Sequence, residues 1–150
     1  MVCLGNICRS PLAEGVLKKL AEDNGMGWKV DSAGTLGYHS GSAPHPLSQK
    51  VAKLNGVDIS CQVARQFVAE DFVEYDLIVP MAADVIRDMK MIAGKLFDSQ
   101  KVKLLLEWSH PGKNMDVPDP WTDAEERYHE VYALIKAACE EIIKEHKQSA

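Results

Sequence analysis

The stretch Cys3-Leu4-Gly5-Asn6-Ile7-Cys8-Arg9-Ser10-Pro11 stands almost at the start of the chain and runs straight into a helical pattern. Leu12, Val16, Leu17, Leu20 and Ala21 recur at helical spacing through residues 11–23. Ser10 suits the cap of that helix, Pro11 its first turn and Asn24-Gly25 its end. A loop curling into a helix N-terminus aims successive backbone N–H groups at one point. With the positive end of the helix dipole behind them, these groups form a nest for a tetrahedral anion.

The residue types inside the nest fit that use. The N–H groups from Leu4 to Arg9, through Gly5, Asn6, Ile7 and Cys8, supply donors. Gly5 permits a backbone angle that a Cβ resists. Arg9 offers a planar fork that holds two oxygens of a phosphoryl group. Asn6 can pin the loop with side-chain hydrogen bonds. Cys3, at the base of the loop, feels the same field. Helix N-termini and cations lower a thiol pKa from about 8.5, so Cys3 is expected to be a thiolate and a nucleophile. Ser10 can donate to that sulfur and help it leave. A lone Cys is as often a small buried hydrophobe, and Gly and Asn mark any turn. Only the conjunction points to phosphate chemistry.

The chain has 150 residues, 46% of them hydrophobic and 26% charged, which fits one domain over 1–150 with a real core. The net charge is −5 and no run of Lys or Arg appears, so nucleic acid and anionic membrane are poor partners. An anionic substrate must be drawn in by a local site. No apolar run reaches the ~18 residues of a membrane span, and no signal peptide is read at the start. Cys3, Cys8, Cys61 and Cys139 match neither a zinc ribbon nor a disulfide scaffold, which suggests reduced thiols in the cytoplasm.

Further on, short strand-like runs alternate with amphipathic helices. Strands are expected at 28–30, 76–80 and 102–106, and helices at 46–55 and 83–93. Thr122-Asp123-Ala124-Glu125 reads as a capping box for a last helix. Its apolar face carries Tyr128, Val131, Tyr132, Ile135, Ala138, Cys139 and Ile142. The alternation predicts an α/β fold, a doubly wound parallel sheet between two layers of helices. Ligands bind such sheets beyond the carboxyl ends of the strands. The loops around Cys3 and Asp119 both precede helices and are expected at that edge. Asp119, stiffened by Pro118 and Pro120, is the candidate proton donor, with Asp116 as a nearby competitor. Asp-Pro also serves simply to shape a turn.

The string CLGNICRSP resembles the phosphate-binding signature of the low-molecular-weight protein tyrosine phosphatases: Cys, five residues, Arg, then Ser or Thr. The resemblance continues through Asp31-Ser32-Ala33-Gly34-Thr35, Ala64-Arg65-Gln66 and Val117-Pro118-Asp119-Pro120, and so covers essentially the whole chain. It implies a sheet of about four parallel strands and hydrolysis of phosphotyrosine in proteins to tyrosine and phosphate through a cysteinyl-phosphate. No metal or organic cofactor is implied. It assigns Cys3, Arg9, Ser10 and Asp119 to catalysis, Asp119 acting first as acid and then as base. Tyr38 and Trp121 would clasp the phenyl ring, with Leu4 and Ile7 lining floor and wall. Partly buried core positions are the alternative for Tyr38 and Trp121. In such a loop the second cysteine, Cys8, can form a reversible disulfide with the nucleophile.

The chain departs from the family pattern in four places. Only Met1 and Val2 precede Cys3, where the family places a whole central strand, so the first strand is expected to be largely absent. That would leave two inner strand edges unpaired and a gap in the core, unless the stretch is supplied another way, such as exchange between chains. Gln62 stands where some members have a histidine supporting the loop asparagine. Met81-Ala82 replaces a common Met-Asp pair. Trp121-Thr122 replaces paired tyrosines. Two rival activities remain: an arsenate reductase of the same fold, which needs clustered downstream cysteines that Cys61 and Cys139 do not provide, and an inactive phosphotyrosine-binding module. A Cys3/Cys8 redox protein would leave Arg9 and Asp119 without a role.

Overall fold

The computed structural model describes residues 1–149. Its sheet grows outward from β1 (Val2–Cys3), which pairs in parallel with β2 (Ala33–Gly34), Val2 against Ala33 and Cys3 against Gly34. On the other side Val2 bridges Pro80. Further out, Gly34 bridges Gln66 and Ile78 bridges Val102, all in parallel. Across the sheet the order is therefore 66, β2, β1, 78–80, 102, with the first strand in the middle, as a doubly wound sheet requires.

Helices cover both faces. α1 (Arg9–Asp23), α2 (Pro46–Leu54) and α5 (Glu125–Ser149) share one core, which includes Leu12, Val16, Val51, Val131, Ile135 and Ile142. The short α3 (Asp71–Glu74) and α4 (Ala83–Ala93) pack with Val2, Phe67 and Ile78 in a second core on the opposite face. Every apolar position expected on the face of α5 is buried. No helix among the described residues is long and apolar enough to cross a membrane.

The local expectations fail in three instructive places. The run 28–30 forms no ladder, 76–80 makes two isolated bridges, Pro80 to Val2 and Ile78 to Val102, and Leu105–Glu107 is a 3₁₀ turn. β1 spans only Val2–Cys3, and regular pairing is confined to the residues beside it, while 101–105 pair with 78–80 through Ile78 N–H to Lys101 O, Lys103 N–H to Ile78 O and Leu105 N–H to Pro80 O. Nor does the capping box form: α5 begins at Glu125, whose carboxylate meets Lys50 at 2.6 Å across the fold. Ser10 does not cap α1. Cys8 holds the N-cap position without a side-chain bond, and the Ser10 hydroxyl is used at the site.

Arg65 ties the open side of the sheet together. Its guanidinium donates twice to Asp71, at 3.0 Å each, and its Nε donates to Asp31 at 3.1 Å. Tyr75 adds a hydroxyl bond to Asp31 at 3.0 Å. Burial pushes the Asp31 carboxyl up, but the Ser32 N–H, Arg65 and Tyr75 outweigh it and hold the group below the usual carboxylate range. A depressed folded pKa gives stability that is present above the unfolded value and lost as pH falls through the folded one. Arg65→Met should therefore cost roughly 2–3 kcal/mol in urea unfolding at neutral pH, less than a fully buried pair because Arg65 keeps contact with water. The variant should also lose less further stability than the parent when the pH is taken below about 4. An unchanged unfolding midpoint would rule out this role.

Candidate active site

The loop between β1 and α1 closes around Cys3. Asn6 takes a left-handed backbone, φ 58°, although it carries a Cβ. Three side-chain bonds hold it there, and together with a Ser32–Glu14 bond they fix the direction of a proton chain. Ser32 Oγ donates to Glu14 at 2.6 Å, which leaves its lone pairs for Asn6 Nδ2 at 2.9 Å. Asn6 Nδ2 also donates to Ser10 Oγ at 2.8 Å, while Asn6 Oδ1 accepts the Arg65 backbone N–H at 3.0 Å. Ser10 is thereby an acceptor on one side, and its own proton is free for Cys3 Sγ, 3.0 Å away. The Asn6 backbone N–H points at the same sulfur from 3.2 Å. Both groups are aimed at the sulfur.

Two of these partners, Ser32 and Glu14, carry no chemistry of their own. Glu14 was signalled only by its place in the helix after the loop, and Ser32 only as part of Asp31-Ser32-Ala33-Gly34-Thr35. The support expected from position 62 comes from elsewhere. Gln62 donates to Pro11 O at 3.1 Å, and its Oε1 has no partner among the described residues. The Arg65 amide and Ser32 hold Asn6 instead. Gly34 is a second residue that sequence reasoning left without a role. A Cβ there would lie 2.8 Å from Leu4 O and 3.0 Å from Asn6 N, so the loop rests directly on the backbone of β2.

Arg9 is buried, and its guanidinium is anchored to Val117 O at 3.0 Å. Asp119 Oδ2 stands 3.7 Å from the other end of the guanidinium, and Asp119 Oδ1 accepts the Trp121 N–H at 3.1 Å. The Asp119 carboxylate is about half exposed, at 45%, so it sits at the mouth while Arg9 lies at the floor. Asp116 is occupied otherwise: it accepts the Ala83 N–H at 2.9 Å and so caps α4 from outside the helix.

A chain of rings forms the rim. Tyr38 is 87% exposed and Trp121 46%, so neither is a core residue. Between them stands His39, edge-on to Tyr38 at 4.9 Å and 5.3 Å from Trp121. His39 also lies over Gly5, where a Cβ would come within 3.1 Å of its ring. His45 contacts Trp121 at 5.5 Å and stacks on Tyr128 at 5.2 Å. Neither histidine stands out in the sequence, because their contacts with Trp121 and Tyr128 join residues far apart in the chain. Leu4 is partly exposed at the loop, whereas Ile7 is buried in the core. Cys8 points its thiol toward the Tyr128 hydroxyl at 3.8 Å, and all four cysteines are free. Cys61 is exposed and Cys139 is buried in α5.

The whole chain, residues 1–150, matches the family model described as low molecular weight phosphotyrosine protein phosphatase. It is 37% identical over 144 residues to the low molecular weight protein-tyrosine-phosphatase YfkJ of Bacillus subtilis, covering 95% of this chain and 90% of the relative. It is 37% identical over 141 residues to the human low molecular weight phosphotyrosine protein phosphatase, covering 92% and 88%. Among solved structures, a protein tyrosine phosphatase from Entamoeba histolytica with Hepes in its active site superposes with a TM-score of 0.89 at 33% identity, over 99% of this chain and 95% of that one. Vibrio vulnificus Wzb in complex with benzylphosphonate gives 0.86 at 31% identity, over 96% and 94%.

Burial pushes the thiols of Cys8 and Cys139 up to about 12. At pH 8 roughly one molecule in 10⁴ then carries either as a thiolate. Iodoacetamide at that pH should label exposed Cys61 and leave Cys8 and Cys139 unmodified in the folded protein, as read by peptide mass spectrometry. Labelling of Cys8 at a rate like that of Cys61 would contradict the geometry.

Proposed function

The chain belongs to the low molecular weight phosphotyrosine protein phosphatase family, and we propose that, as a single domain, it hydrolyses phosphotyrosine in proteins to tyrosine and phosphate. The observation that carries this most strongly is the convergence of Cys3 Sγ, the Arg9 guanidinium and the Asp119 carboxylate on one loop, with donors already aimed at the sulfur. Cys3 attacks phosphorus in line with the leaving oxygen, and the P–O electron pair leaves on the phenolic oxygen, which takes its proton from Asp119. Water then attacks the cysteinyl-phosphate and gives its proton to the Asp119 carboxylate. The P–S pair returns to Cys3, where the Ser10 proton and Asn6 N–H receive it. The backbone N–H groups of Leu4 to Arg9 and the Arg9 fork hold the remaining phosphoryl oxygens through both steps. The scheme uses no metal or organic cofactor. A reducing compartment such as the cytoplasm suits a nucleophilic thiol.

Specificity for the aromatic ester follows from the rim. We read the ring chain of Tyr38, His39 and Trp121 as the wall of a slot above the sulfur, whose depth a phenyl ring spans and a serine side chain does not. The wide separation of Cys61 and Cys139, one exposed and one inside α5, removes the relay that an arsenate reductase would need.

Phosphate release from p-nitrophenyl phosphate tests the assignment. Cys3→Ser should abolish it, and Arg9→Lys should lower kcat by about 10²–10³. With phenyl phosphate, whose leaving group needs the proton, Asp119→Asn should cost about 10²–10³ in kcat. Asp116→Asn should cost far less, and equal losses would undo the assignment. Trp121→Ala should raise KM for aryl phosphates about tenfold, the ~1–1.5 kcal/mol of an aromatic contact, with a smaller change in kcat. An unaltered KM would remove Trp121 from the binding slot.

A further inference from the structure

The N–H groups of the loop can converge on an anion only if each peptide unit is held from outside. A peptide unit is planar and trans, so its C=O and N–H point in opposite directions. A partner that holds one carbonyl outward therefore aims the next residue's N–H into the loop. The segment after β2 supplies two such holds: Thr35 N–H reaches Cys3 O at 3.0 Å and Leu36 N–H reaches Leu4 O at 2.9 Å. The start of α2 supplies two more. His45 N–H reaches Ile7 O at 2.8 Å, and Ser48 Oγ donates to Cys8 O at 3.1 Å. By the same geometry these bonds aim the N–H groups of Cys8 and Arg9.

One side chain fixes that end of α2. Pro46, its first residue, has no N–H, and the Leu47 N–H that follows is taken by His45 Nδ1 at 3.1 Å. Nδ1 must be bare to accept, so the imidazole proton sits on Nε2. Burial pushes the imidazole pKa down and keeps this neutral form at pH 7. Ser48 is buried and is the third residue of the helix, within the turn that the cap fixes. The His45 ring has separate neighbours. It stacks on buried Tyr128 at 5.2 Å, with 25° between the planes, and meets Trp121 edge-on at 5.5 Å.

We propose, on the phosphatase reading of this site, that His45 and Ser48 are positioning residues. The His45 Nδ1 cap and the Ser48 hydroxyl orient the Cys8 and Arg9 N–H donors, and the His45 ring seats Trp121 at the mouth. Both residues act through the loop and the rim rather than on the phosphoryl group. The two jobs of His45 come apart by substitution. Asparagine keeps an acceptor for the cap and loses the ring, whereas phenylalanine keeps a ring and loses the acceptor. Ser48→Ala releases Cys8 O alone.

Two dissociation constants read the two jobs without turnover. Inorganic phosphate, followed on the amide signals of Cys8 and Arg9 by NMR, reads the loop. Benzylphosphonate adds the aromatic ring, so its Kd divided by that of phosphate reads the rim. His45→Phe and Ser48→Ala should each weaken both ligands about fivefold, leave the ratio unchanged and lower kcat for p-nitrophenyl phosphate. In the free protein they should shift the Cys8 and Arg9 amide signals more than those of Leu4 and Gly5. His45→Asn should keep the phosphate Kd within about twofold and raise the ratio about threefold. Ser48→Ala decides the loop half by itself should His45→Phe fail to fold. The proposal is overturned if Ser48→Ala and His45→Phe bind phosphate as the parent does. It is also overturned if His45→Asn weakens phosphate as much as His45→Phe, or leaves the ratio unaltered. A parent protein that binds both ligands but releases no phosphate from p-nitrophenyl phosphate would sink the phosphatase reading alone, because the binding constants decide the positioning.

Discussion

Asn6 holds a backbone angle that its own Cβ disfavours, and the site depends on that one residue staying there. Isolated, a left-handed non-glycine residue costs about 1–2 kcal/mol. Here the cost is offset by Ser10, Ser32 and the Arg65 amide, each bonded to the Asn6 side chain. The same bonds decide where the Ser10 proton points, so one strained residue shapes the loop and also orients the donor to Cys3. Strain and function are joined because the loop must curl tightly enough for its N–H groups to converge.

The electrostatics are local for a similar reason. A chain of net charge −5 repels a phosphate dianion at long range. Within the loop the balance reverses, because Arg9 is buried, the start of α1 lies directly behind it, and its acidic neighbour Asp119 sits out at the rim. Buried charge is screened weakly, so a single guanidinium and a ring of amides outweigh the distant carboxylates. Asp119 lies 3.7 Å from the Arg9 guanidinium and is about half exposed.

The sheet shows the opposite economy. β1 is only Val2 and Cys3, yet it is the strand from which the loop springs. It is held on both sides by short ladders and from behind by α1 and α5, and Arg65 braces the open edge through Asp31 and Asp71. Arg65 thus serves two regions at once: its side chain closes the edge and its backbone N–H supports Asn6.

The sequence alone determined the loop and its helix and pointed to Cys3 and Arg9 as its candidate chemical groups, because those residues are neighbours and their spacing is set by local backbone geometry. It also fixed the bounds of α4 and the buried face of α5, where helical periodicity runs unbroken. Of the strands expected at 28–30, 76–80 and 102–106, the first forms no ladder, whereas 78–80 pairs with Val2 on one side and with 101–105 on the other, because a strand exists only where a partner lies beside it. Likewise the use of Asp116 by the Ala83 N–H, the rim histidines 39 and 45, and the Glu14-Ser32-Asn6 chain are visible only in tertiary contact. Each depends on a hydrogen bond or ring contact between segments distant in sequence. Local propensity carries no information about such distances, and only the packed fold sets them.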